Sequence, residues 1–446
     1  MSRKVSKIMT EIPGPKSLEI FNMEQNYMSP GVQTIATLSK IVVERGEGCI
    51  IEDIDGNRFI DFFAGVGVAS LGYNHPKLTQ AMAKQQSAIH VGSFTSRNRA
   101  ELSKLLSEIA PGDITRAQYY SSGAEAVEAA LRLAKSYTGK NEFLGFWNGF
   151  HGKTLGVIGL LGDNFKHHLG PLPVGSYLSP FAHCSHCPFK MKYEECGWYC
   201  LDFIRNKVRH ETTGNVAAII VEPIQGTAGN IVPPKDFLVK LKELAHEMGA
   251  LLICDEMITG FGRTGKMFAA EHFDVVPDIM TMGKGFGGGF PMTGVMAGEE
   301  IIHAKPFANP SGSSSSYGGN PMATTAALVT IRTIIEEGLV ENSRRVGEFM
   351  MKRLNEMKQR LPIIGEVRGK GLMIGVELLN PKTGCKLEKN HAVKLFYECL
   401  NHGMITMCYN ADVRINPPLV ITEEIAEEGL SIFEEGLKNV QNSINI

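Results

Sequence analysis

The chain has 446 residues, with 45 Lys and Arg against 47 Asp and Glu, and this net charge of −2 gives nucleic acid no electrostatic footing. Hydrophobic residues make up 43% and charged ones 21%, ordinary for a globular chain, and no apolar run reaches the roughly 18 residues of a membrane span. The length allows two domains, or one large domain with a satellite built from the chain ends.

The segment from Met1 to Lys7 is basic, but no apolar signal core precedes Pro13-Gly14-Pro15, so a cytoplasmic location is expected. A Gly-turn hairpin is expected around Glu52–Asn57. The stretch from Ser121 to Lys135 predicts a helix with Ser122 as N-cap and Glu125 closing a capping box. Ser122, Gly123 and Ala124 are small, which leaves the first amides of that helix open to a phosphate. Phe150-His151-Gly152 follows Phe146 and Trp147 and offers a flat side chain for stacking on a ring.

Nine cysteines in a chain of this length do not suggest a disulfide scaffold. Four of them, Cys184, Cys187, Cys196 and Cys200, lie beside His183 and His186 in an insertion spanning about 183–200. This group could hold zinc; the alternative is a surface insertion whose reduced thiols pack under Trp198 and Tyr199.

Val216–Val221 and Ala250–Cys254 are continuous apolar runs, as central parallel strands should be, and the amphipathic stretch from Pro234 to Gly249 between them predicts a helix. Glu222 and Gln225 follow the first run and Asp255 ends the second, at the strand ends where open α/β sheets bind ligands. Lys284 likewise follows the apolar stretch after Pro277 and is framed by glycines. A P-loop is excluded there, because Gly285-Phe286 continues into more glycine rather than Ser or Thr. The one low-complexity stretch, Ser311–Ser316, precedes a long charged helix expected from Leu339 to Arg360. Residues 71–330 are therefore expected to form a large domain, a mainly parallel sheet with helices on both faces. Residues 1–70 and 331–446 are expected to pack together as a smaller α+β domain.

Singly, Lys284 reads as a loop lysine and Asp255 as a helix cap. Together they supply the Schiff-base lysine and the carboxylate facing a pyridinium nitrogen that pyridoxal 5'-phosphate chemistry requires. From Gly46 to Pro418 the chain resembles the class III aminotransferases, pyridoxal phosphate enzymes of the fold-type I, aspartate aminotransferase-like group. The resemblance rests on Asp255 to Gly265 (Asp-Glu-Met-Ile-Thr-Gly-Phe-Gly-Arg-Thr-Gly), then Pro277-Asp278 and Gly283-Lys284.

It implies a transaminase that moves an amino group to a keto acid by a ping-pong route through a Lys284 Schiff base. Asp255 would pair with the pyridine nitrogen, Ser122, Gly123 and Ala124 would cradle the phosphate, and Phe150 would stack on the ring. His151 and Glu222 would complete the cofactor site. Ser316 would lend its hydroxyl to the phosphate in a neighbouring subunit, which implies a homodimer with shared sites and leaves a tetramer open. Arg414 matches the arginine that grips a substrate carboxylate, with Gln225 and Thr227 beside it.

Two positions depart from the family pattern: Thr227 stands where a glutamate often masks that arginine, and Ile258 where glutamine often sits near the ring hydroxyl. Both favour a broad or unusual amine donor over strict ornithine or 4-aminobutyrate chemistry. Amino-acid racemase or epimerase activity, an amino-sugar transaminase, and a zinc-dependent interaction module on an inactive fold remain as alternatives.

Overall fold

The run Val216–Val221 has no polar side chain to offer water, and every residue of it is buried. The computed structural model describes residues 4–162 and 164–445, the side chain of Asn445 excepted. Met1, Ser2 and Arg3 of the basic segment, with Asp163 and Ile446, lie outside the described residues.

Strands β1 (Val43–Glu47), β2 (Ile50–Asp53) and β3 (Arg58–Asp61) form an antiparallel meander, and the expected hairpin is the β2–β3 turn. The central sheet is built from β4 (Arg116–Tyr120), β5 (Glu142–Phe146), β6 (Ser176–Ser179), β7 (Val216–Val221), β8 (Leu251–Glu256), β9 (Ile279–Met282) and β10 (Thr293–Ala297). Its strand order is β4-β10-β9-β8-β7-β5-β6. Strands β6, β5, β7, β8 and β9 run parallel, and only β10 is reversed, antiparallel to both β4 and β9. Near the C-terminus come β11 (Ile364–Lys370), β12 (Met373–Leu378), β13 (Met404–Ile405) and β14 (Asp412–Ile415). β11, β12 and β14 make a three-stranded sheet, while β13 adds in parallel to β3.

Alternation along β7 explains the two covered faces. Ile219 and Val221 pack in the cluster that holds Phe237, Leu241 and Leu244, whereas Ala218 and Ile220 pack with Ala126, Ala130 and Leu133. The helices Phe237–Glu247 and Gly123–Thr138 thus lie on opposite faces of the sheet. The first begins three residues after Pro234, and its chain reversal uses Gly249 at φ 62°. At the second, Ser122 Oγ accepts the Glu125 amide as expected, but the Glu125 carboxylate takes the Ser121 amide, one residue ahead of the cap. The box is displaced because Ser122 is extended and the carboxylate reaches past it.

The helix Leu339–Arg360 has the predicted bounds and packs against the β11–β12 turn. A Cβ on its Gly347 would lie 2.1 Å from the Gly371 carbonyl oxygen. In an exposed helix Gly→Ala would stabilise by about 1 kcal/mol. Here the clash reverses the sign, so Gly347→Ala is expected to cost about 1–3 kcal/mol and to lower Tm in a thermal scan. An unchanged or higher Tm would show that the helix can move away from the turn.

Candidate active site

Three neighbouring parallel strands deliver the site. Asp255 lies in β8, Lys284 stands two residues past β9, and Glu222 directly follows β7. Their carboxyl ends open on a cavity of about 580 Å³ lined by Phe150, Glu222, Asp255, Ile258, Lys284 and Arg414, within the size range of small-molecule sites.

Asp255 is 1% exposed and held from three sides. His151 Nδ1 lies 2.7 Å from Oδ2, while the Thr281 hydroxyl and the Met257 amide each donate to Oδ1 at 3.1 Å. Thr281 is the register partner of Asp255 across the β8–β9 ladder. A carboxylate can accept about four hydrogen bonds, so a lone pair on Oδ2 remains for one more donor. Burial lowers the affinity of His151 for a proton, but the hydrogen bond and charge of Asp255 outweigh it, so the imidazole titrates above its ordinary range. His151 therefore holds the acid from behind.

Lys284 sits at φ 46°, an unusual backbone for a non-glycine residue, at the start of a 3-10 turn. Burial holds its amine below the usual lysine range, although Asp255 and Glu222 pull the other way and Arg414 reinforces the shift. Ahead of it, Gly283 has no room for a side chain: a Cβ would lie 2.5 Å from the Met257 sulfur. Burial pushes Glu222 up, and its two oxygens accept the Phe150 and Gly226 amides at 2.9 Å each, tying two cavity loops together.

Gly123 and Ala124 begin the helix Gly123–Thr138, with Ser122 exposed before them. Gly152 is required beside them, since its φ is 115° and a Cβ there would fall 2.5 Å from the Ala124 Cβ. Phe150 lines the cavity, with Phe165 edge-on to it at 5.9 Å. Of the other aromatics, Phe146 is buried in the core against Phe181 and Phe237, and Trp147 is largely exposed.

Arg414, in β14, faces the same cavity as Thr227. Burial lowers its pKa, while Tyr409 and Glu222 pull the other way. Gln225 does not face the cavity as its position suggested. The turn back to Ile231 directs its amide to the Trp147 carbonyl at 2.9 Å. Ser316 is exposed, in the loop before the helix Pro321–Glu336. Cys184, Cys187, Cys196 and Cys200 are unpaired thiols around one small separate cavity; Tyr199 packs edge-on to Phe189, and Trp198 edge-on to Tyr193. Sequence reasoning missed Thr281, Met257, Lys153 and Tyr409. Met257 lies inside the Asp255–Gly265 motif, Thr281 in the apolar stretch before Lys284, and Lys153 two residues beyond His151, where each could have drawn attention.

The donor set fits pyridoxal 5'-phosphate: a buried carboxylate with a spare lone pair, an adjacent buried amine of lowered proton affinity, and an uncovered helix N-terminus. The model of the class III aminotransferases matches residues 32–437. The chain is 37% identical to the alanine/serine racemase of Pyrococcus horikoshii, over 97% of this chain and 93% of that one. It is also 37% identical to the acetylornithine aminotransferase of Methanothermobacter thermautotrophicus, over 94% and 98%. A Bacillus anthracis aminotransferase structure superimposes with a TM-score of 0.88 at 27% identity, covering 97% of this chain and all of that one. With the sheet, the strand-end acid and lysine and this match in agreement, the chain belongs to the class III aminotransferases, fold-type I enzymes that use pyridoxal 5'-phosphate.

Proposed function

We propose that the protein is an aminotransferase that passes an amino group from an amine or amino-acid donor to a keto acid in two half-reactions, with Lys284 as the proton carrier. The observation that carries this reading is the convergence of Lys284, Asp255 and Arg414 on one cavity. When bound, the cofactor supplies a carbonyl for the amine and an electron sink for the carbon that loses a proton.

Asp255 keeps the ring nitrogen protonated, because it is held as an acceptor by His151, Thr281 and the Met257 amide. Gly123 and Ala124 would hold the phosphate at the helix start, and Phe150 would cover the ring. Lys284, whose amine burial holds below the usual lysine range, would take the proton from the substrate carbon and deliver it elsewhere. Arg414 receives the carboxylate of the keto acid; Thr227 presents no charge to mask it, and the carboxylate that acts on it is Glu222. Ile258 gives the ring hydroxyl an apolar neighbour. Ser316, exposed in its loop, would lend its hydroxyl to the phosphate of a second copy in a homodimer with shared sites.

A second reading, amino-acid racemisation, is favoured by the description of the Pyrococcus horikoshii relative as a racemase. There the proton returns to the opposite face of the same carbon and no acceptor is consumed. A single L-amino acid incubated without keto acid separates the two: inversion on a chiral column supports racemisation, whereas one stoichiometric turnover to keto acid supports transfer.

Borohydride reduction of the holoenzyme is expected to fix the cofactor to the peptide containing Lys284, read by mass spectrometry. Lys284→Ala should bind cofactor without that mass shift and lose turnover; full turnover would remove Lys284 as the proton carrier. Asp255→Asn should retain cofactor yet lose about 10²–10³-fold in kcat, the usual scale for one preorganised electrostatic contact. Near-normal kcat would contradict the role given to the acid.

Arg414→Ala should weaken keto-acid binding by about 2–5 kcal/mol, seen as a raised KM. A donor lacking a carboxylate should convert the cofactor to its amine form almost as fast as before. Equal damage to both half-reactions would mark Arg414 as structural. Thr227→Glu should mask Arg414 and weaken the acceptor alone; no change would mean the two side chains do not meet.

A further inference from the structure

The cysteine-rich insertion meets the β11–β12 hairpin in a cluster that takes no part in the reaction above. His183 and His186 bracket the 3-10 turn Cys184–His186. Residues three apart on such a turn eclipse one another, and the two imidazoles meet edge to face with ring centroids 4.9 Å apart and planes inclined by 66°. Opposite them, Glu366 and Glu377 are register partners on antiparallel strands. One pair of ring nitrogens therefore meets one pair of carboxylates.

His186 Nε2 lies 2.8 Å from a Glu377 oxygen. His183 Nε2 stands 3.8 Å from a Glu366 oxygen, is buried and has no hydrogen-bond partner, a condition that calls for an explanation. His183, His186 and Glu366 each offer a ligand atom, and these atoms lie within 4.8 Å of one another. Among the described residues no trio that includes a cysteine is gathered in this way.

We propose that His183, His186 and Glu366 bind a divalent transition-metal ion of the zinc type. Two imidazoles and a carboxylate are a recurrent zinc set, with bonds of about 2.0–2.2 Å. Tetrahedral ligands on such an ion stand about 3.3 Å apart, so the side chains need only a small inward rotation. The nearby cations do not block it. Arg368 bonds Glu366 at 2.9 Å and Lys386 lies 3.7 Å from Glu377, but both also pair with Asp412, at 3.1 and 2.6 Å. Each keeps a carboxylate when the ion takes Glu366. Ser185, which donates to Glu366 at 3.1 Å, can hold that carboxylate in place. The ion would tie the insertion to the strand pair that carries Arg414, because β12 pairs with β14 through Glu377–Asp412 and Gly375–Arg414. None of this depends on which amine the enzyme uses.

The test is calorimetric titration of the full-length, chelator-stripped holoenzyme with zinc chloride, and the expected result is one saturable site per chain. His183→Ala, His186→Ala and Glu366→Gln should each weaken it by about tenfold or more, while the double variant Cys184→Ser with Cys187→Ser should leave it unchanged. Cobalt(II) in the same site should give d–d bands without thiolate charge transfer. Absence of saturable binding, loss of binding in the cysteine double variant with retention in His183→Ala, or thiolate bands from cobalt would each overturn the proposal.

Discussion

An ionisable carboxylate placed in the core next to a sheet is the constraint around which the molecule is arranged. Asp255 can remain there only because its neighbours are donors: an imidazole, a hydroxyl from the next strand and a backbone amide of the following turn. Each donor fixes a different element. His151 fixes the loop after β5, Thr281 fixes the register of β9 on β8, and Met257 fixes the turn leaving β8. Because Lys284 lies three residues beyond Thr281, the same register that satisfies the acid also sets where the amine begins.

Glu222 performs a related task at the cavity edge. Its burial would be costly were its oxygens not engaged by the Phe150 and Gly226 amides. That engagement holds the aromatic wall against the turn bearing Thr227. Close approaches without side chains complete the frame: Gly283 yields to Met257, and Gly152 yields to Ala124. The site is thus positioned by buried polar contacts and by missing methyl groups rather than by any disulfide, since all nine cysteines are free.

Much of this was legible in the sequence where the physical signal is local. β7 and β8 announce themselves as unbroken apolar runs, and a polar residue ending such a run has few places to be except the sheet's open edge. The helix Leu339–Arg360 has the predicted bounds because its glycine start and periodic apolar positions are both local. What was not legible depends on contacts distant in the chain. His151 reads only as a member of the cofactor site beside Phe150, and its placement against a carboxylate 104 residues away shows what it holds. Gln225 reads as a residue pointing into the mouth, but a turn closed on Ile231 decides its direction. In the insertion the eye goes to four thiols, whereas the groups that converge are two histidines and a glutamate from the hairpin more than 150 residues later.

The parallel pairing of β13 with β3 joins Met404 to Ile60 and Ile405 to Asp61. Lys7 bridges Arg58 on the outer edge of the β1–β2–β3 meander, but the rest of that edge, at Ile60 and Phe62, is closed only when β13 arrives. Until then β3 presents unpaired amides and carbonyls there, next to Phe59 and Ile60, which are fully buried in the finished protein. The meander is thus completed by a pairing distant in the chain, the kind of contact that carries a large loop-closure cost and forms slowly.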